Sequence, residues 1–424
     1  MPQRPSSPFF RALGVVAALL LPCGCGSSGG GDAGPPLTPT PPTPPPPTIL
    51  SLTNFQPAAQ VLGQPDLVSA KANQGGMPAA NTLSSPSVAE PNGLFIVDSA
   101  NHRVLGFQAM PTTNNANADF VLGQVDFLGN QGDQGGAPAA DTLHFPFDAA
   151  VVDGALFVVD GGNHRVLIWN TVPTTTATPA DVVIGQPNFT SQSFGTTATT
   201  MIQPRDIAVA GGFVVVSDQI NHRVLIYHGV PSTNGVAADL VLGQADFVSG
   251  LENRGLGMPA ADRMSNPSGV WTDGTRLAVA DQGNSRVLIW TTFPTMNGQP
   301  ADLVLGQADL ASNATATSAT GMRYPTSVDS NGIQLFVGDA GSSRVLVWNT
   351  FPTMTGAAAD VVLGQSDFVH GHPNDDDQNS VPDANPTART LDTAGGSLQM
   401  RLRVYGSQLF VSDTHNNRLL RFDG

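Results

Sequence analysis

Three patterns in the chain hold residue types that can do chemistry. The first is a word of the form D-x-x-[NS]-x-R, met as DSANHR, DGGNHR, DQINHR, DQGNSR, DAGSSR and DTHNNR. An aspartate, a histidine and an arginine so close together are the parts of a general base or of a metal-binding ring. However, His102, His164 and His222 give way to Ser285, Ser343 and Asn417 in the same slot, while the arginine follows its aspartate in every copy. A feature present in every copy is expected to be scaffold, because a reaction centre is expected once. The Asp and Asn are therefore expected to cap a tight turn, and the Arg to pair with the Asp or with a carbonyl.

The second pattern is PNDDDQNSVPD, from Pro373 to Asp383, where Asp375, Asp377, Asn379 and Asp383 stand at alternating positions. Alternating oxygen ligands suit Ca²⁺, which takes six to eight oxygens in flexible loops. The segment resembles the D-x-D-x-D-G-V-x-D loops of thrombospondin type 3 repeats. It departs from them at Ser380, where a turn glycine is expected, and at Pro386. Calcium held by these four residues is the expectation, against the bland reading of a solvated acidic loop.

The third pattern is a set of charges at the start of certain strands, Asp148, Arg205, Asp206, Arg401 and Arg403, where equivalent positions hold small or apolar residues. Carboxylates and guanidiniums converging at one mouth can orient a small polar ligand. They can equally neutralise one another. No catalytic residue is assigned. Both cysteines, Cys23 and Cys25, lie near the N-terminus, no G-x-S-x-G nucleophile turn is present, and His144, His228, His370 and His372 have no recognisable spacing.

These residues must be positioned by the elements around them. The word [VL]-[LI]-G-Q recurs six times about every sixty residues, with its glycine at Gly63, Gly123, Gly185, Gly243, Gly306 and Gly364. Between its copies lie short β-branched runs bounded by Gly, Pro, Asn and Asp, with no sustained helical period. Such a repeat predicts blades of four strands each. The first outer-strand word, Gln60 to Gln64, precedes any complete blade, and the last blade ends on a third strand, Leu419 to Asp423. The N-terminal strand is therefore expected to complete the last blade and close the ring, leaving no open edge. The third-to-outer connection keeps a constant length of twelve residues, while the outer-to-inner connection varies. Binding residues concentrate on variable loops over a rigid scaffold, so the face bearing those loops is the expected binding face.

The sequence P-x-x-[VI] followed by L-F-[VI]-V-D and N-H-R-V-L-I-W resembles the NHL repeat over residues 49 to 424. The resemblance implies an all-β, six-bladed β-propeller of NHL type, four antiparallel strands per blade. It implies no single function, since that group includes protein-binding and RNA-binding modules, lyases and hydrolases. The zinc-dependent lyases of this fold would need histidines converging on the channel.

The N-terminus reads as an address. Arg4 and Arg11 precede an apolar run from Ala12 to Leu21, too short to span a bilayer, which needs about 20 residues. With Gly24–Cys25 following, residues 1–24 resemble a bacterial lipoprotein signal, which implies lipidation of Cys25. Residues 25–48, Gly/Ser- and then Pro/Thr-rich, read as a tether, and 49–424 as the propeller. The expected place is the bacterial cell envelope, at the outer membrane or cell surface, attached through the lipid anchor.

The chain carries 18 Lys and Arg against 33 Asp and Glu, a net charge of −15. That balance opposes nucleic acid as a partner. The expectation is a monomeric binding module for a protein or polar ligand at the envelope. The alternative is a lyase or hydrolase with its site in the channel, assisted by calcium.

Overall fold

The computed structural model describes residues 48–91, 94–393 and 400–424. The signal, nearly all of the tether and the lipidation residue Cys25 lie outside the described residues. Six four-stranded antiparallel sheets are arranged as blades, and each inner strand packs beside the next around a closed ring. Blade two shows the plan, with strands at Pro146–Val152, Ala155–Asp160, Arg165–Trp169 and Val182–Ile184 from inside to outside. The other inner strands are Pro86–Pro91, Pro204–Ala210, Pro267–Thr272, Pro325–Ser330 and Leu402–Tyr405. Closure occurs as the sequence implies. Gln60, Val61 and Leu62 pair with Arg421, Leu420 and Leu419.

A blade is covered on both faces by its neighbours, so its middle strands read as unbroken apolar runs rather than alternating ones. Arg286–Trp290, RVLIW, is buried at every residue. Six apolar layers fill the gaps between blades. In one, Phe157 and Ile168 of blade two pack against Ile207, Val216 and Leu225 of blade three.

The repeated word braces each turn, though not by capping it. The turn from second to third strand has no side-chain cap. Instead Asp98 Oδ1 accepts the Ser84 backbone N–H of the incoming loop at 2.6 Å, and its Oδ2 accepts Arg103 Nε at 2.7 Å. Arg103 then donates to the carbonyls of Phe127, Ala79 and Thr82. This unit recurs in all six blades, each pair fully buried. A buried guanidinium tolerates such a place only because its donors are satisfied.

The slot that alternates among His, Ser and Asn has one role. Every occupant takes a left-handed φ and accepts a backbone N–H from the neighbouring blade. His102, His164 and His222 accept from Phe145, Gln203 and Asn266, Ser285 from Tyr324, Ser343 from Thr393, and Asn417 from Ser85.

The constant third-to-outer connection also has a physical reason. Its turn reaches the outer strand of the preceding blade and satisfies that edge. Gly235 N–H donates to the Val183 carbonyl, and Asn234 Oδ1 accepts the Val183 N–H. Phe55 and Asn54 do the same for Val362, so the segment before the closing strand seals a second edge. A sealed edge cannot recruit another strand.

Candidate functional site: the upper face and the channel

We call upper the face that carries the second-to-third turns and the outer-to-inner connections. The five charged residues singled out by sequence come together on the inner strands or, for Arg401, just before one, within the channel rather than at an open rim. Asp148, Asp206 and Arg401 are almost completely buried. Blade six faces blade three across the ring, and Arg401 spans that diameter. Its Nη1 donates to Asp206 at 3.2 Å and to the Thr326 carbonyl at 2.6 Å, and its Nη2 to the Arg205 carbonyl at 2.7 Å. Arg403 reaches blade two, donating to Asp148 at 3.1 Å and to the Ala149 carbonyl at 3.2 Å. Two guanidinium spokes therefore cross the channel.

The electrostatics follow from burial. Burial, then the adjacent Asp206, pushes Asp148 well above the usual carboxylate range against the pull of Arg403. The two carboxyl groups meet at the Ile207 N–H, 3.2 Å from Asp148 Oδ2 and 2.8 Å from Asp206 Oδ1. Burial, reinforced by the charge of Arg401, lowers Arg205 to about 9. The Arg205 guanidinium lies 3.8 Å over the Phe147 ring, and its Nε donates to Gln219.

Sequence reasoning missed Asp329, which belongs to the same buried group. Burial raises it to about 6, against Arg403, while it accepts the N–H groups of Val404 and Ser330. A carboxylate on an inner strand was the available signal. Sequence reasoning named the channel mouth but missed the residues that line it above this buried group. A cavity of about 340 Å³ there is lined by Gln219, Asn266, Gln282, Gly283 and Tyr324.

The histidines are not arranged as metal ligands. Each Nδ1 of His102, His164 and His222 accepts a backbone N–H, so the neutral ring carries its proton on Nε2 and offers no second lone pair. Burial, followed by the neighbouring His144, lowers His102 to about 4, which keeps that ring neutral. His102, His144 and Phe145 form an aromatic cluster beside the mouth.

In the acidic loop, the carboxylates of Asp375, Asp377 and Asp383 lie with ligand atoms within 4.8 Å of one another, a separation a cation can bridge. Asp375 is buried and accepts the N–H groups of Asn379 and Ser380 at 3.0 and 2.9 Å. Ser380, at the position where glycine was expected, itself takes a φ of 67°. Asn379 does not turn an oxygen inward. Its Oδ1 accepts the Val381 N–H and its Nδ2 donates to Asp377.

No family model matches the chain, and no curated protein does. Among solved structures, the glutaminyl cyclase of Myxococcus xanthus aligns over 67% of this chain and 92% of its own. It does so at 13% identity and a TM-score of 0.35. The six-bladed fold stands on the sheet order and the closing strand described above.

Proposed function

We propose that this chain is an exported, lipid-anchored propeller of NHL type that binds a protein or polar ligand through its upper face. The observation that carries the reading is sidedness. Met77, Leu128, Phe194, Val248, Leu251 and Met258 are all more than half exposed, and all lie on outer-to-inner connections. The lower connections are pinned to neighbouring blades and bear far fewer such groups. Exposed apolar groups clustered on one face mark an interaction surface. The anchor is assigned to Cys25, since an acidic domain gains nothing from anionic lipid and acyl chains contribute about 0.8 kcal/mol per buried CH₂.

Two experiments test the reading. Cys25→Ser should move the protein from the membrane fraction to the soluble one. Released in that way, the chain should still co-sediment with isolated envelopes. Leu128→Asp with Val248→Asp should weaken that binding about tenfold or more, and Val230→Asp with Met354→Asp should leave it unchanged. Equal loss from both faces would contradict the proposal.

The buried Asp148, its carboxyl raised well above the usual carboxylate range, favours a second reading, a channel acid in a hydrolase or lyase. A substrate would first have to displace Arg403 from that carboxyl group. Turnover abolished by Asp148→Asn in an intact fold would support it.

A further inference from the structure

We infer that the upper mouth of the channel, over blades three to five, binds an uncharged sugar residue. The inference rests on the binding role of the upper face and gives it a ligand chemistry.

The argument begins with a departure from the repeat. The first residue after the turn aspartate is small in four blades, Ser99, Gly161, Ala340 and Thr414, but is Gln219 in blade three and Gln282 in blade four. These two long amides stand side by side, where a scaffold role needs neither. Arg205 Nε donates to Gln219 Oε1 at 2.7 Å, and Gln219 Nε2 donates to Gln282 Oε1 at 2.9 Å. The relay fixes both amide orientations and makes the Gln282 NH₂ the donor on the cavity wall. Asn266 adds a further amide, and Gly283 leaves backbone in place of a side chain.

The cavity also has an aromatic wall. Tyr324 takes a φ of 51°, in the left-handed region that a bulky ring rarely adopts. Ser85, Phe145, Gln203 and Asn266 take the same left-handed φ at the equivalent position in other blades, so the repeat sets this conformation and does not itself require a ring. The Tyr324 side chain stays 45% exposed beside the cavity. A half-exposed aromatic ring on a cavity wall is open to contact with a ligand.

The lining decides the ligand class. It offers flat neutral amides, a phenol and an aromatic face, with no charged side chain. Arg205, which holds Gln219, is itself engaged by that amide and by the Phe147 ring. The lining offers a phosphate or carboxylate no cation to offset its charge, whereas a sugar offers hydroxyls to the amides and a C–H face to the ring. A volume of about 340 Å³ is at the lower end for small-molecule sites, roughly 300–1,000 Å³, as suits one or two sugar rings.

The test titrates the full chain carrying Cys25→Ser by calorimetry. The probes are glucose, galactose, mannose and N-acetylglucosamine, their β-linked dimers, glucuronic acid, and an uncharged tetrapeptide. At least one neutral sugar should bind with a Kd below about 10 mM. Tyr324→Ala and Gln282→Ala should each weaken it about tenfold or more without lowering the melting temperature, while Tyr324→Phe keeps most of the binding. No neutral sugar binding, binding of the acid or peptide alone, or binding unchanged in both Ala variants would overturn the inference. Envelope binding that survives Tyr324→Ala while sugars fail would overturn the sugar site and leave the upper-face reading standing.

Discussion

Arg401 Nη1 lies 3.2 Å from Asp206 Oδ2 on the opposite blade, so one guanidinium ties together the two sides of the ring. Both partners are nearly fully buried, and Arg401 also satisfies two carbonyls. Removing one partner of such a pair leaves a buried charge uncompensated, at about 3–5 kcal/mol. Arg401→Met should therefore destabilise the propeller by that amount in chemical denaturation, and Asp206→Asn in the same chain should restore part of it. A loss under about 1 kcal/mol would mean that the spoke is dispensable.

The sign of the channel's pH dependence follows from Asp329. Its folded value is about 6, above the ordinary 3.8, so between these values the folded state holds a proton that the unfolded chain releases. Stability from this group is greatest below about pH 4, falls as pH rises to about 6, and is level above. Asp329→Asn should remove this slope. Denaturation midpoints of the two proteins should therefore diverge with pH across that window, and parallel curves would contradict the assignment.

His222 accepts the Asn266 N–H at 3.0 Å, a role that serine and asparagine fill in other blades. His222→Ala should cost about 1–3 kcal/mol by orphaning that donor, and His222→Asn should recover most of it. A base or metal ligand at this position would not be rescued by asparagine. The melting temperatures of the two variants decide between these roles.

The three carboxylates of the acidic loop repel one another unless a cation joins them. Calcium, bound at about 10⁻⁴–10⁻³ M, should protect residues 371–391 from proteolysis, and Asp377→Ala should abolish that protection. Equal cleavage with calcium and with chelator would leave only a solvated loop.

The blades and their closure were legible because a register repeated six times averages out local ambiguity, and because a lone outer-strand word at Gln60 to Gln64 has one natural destination. The constant twelve-residue connection was visible, but its task was not. Sealing Val183 with Asn234 is a contact between blades that spacing within one blade cannot reveal. The unity of His222, Ser285 and Asn417 was hidden because three unlike side chains share only a hydrogen-bond acceptor. Arg401 and Arg403 could be placed on an inner strand, yet their partners Asp206 and Asp148 follow from blade order around the ring. Gln219, Gln282 and Tyr324 stand at positions that vary from blade to blade, so the repeat carries no signal for them, and their meeting at one cavity follows only from the packing of blades three to five.

The direct test of upper-face binding is photo-cross-linking in intact envelopes. A benzophenone side chain at Leu128 or Val248 should yield discrete adducts of higher mass, while the same group at Val230 or Met354 on the lower face should yield none. Adducts of equal strength from both faces, or from the lower face alone, would contradict the account.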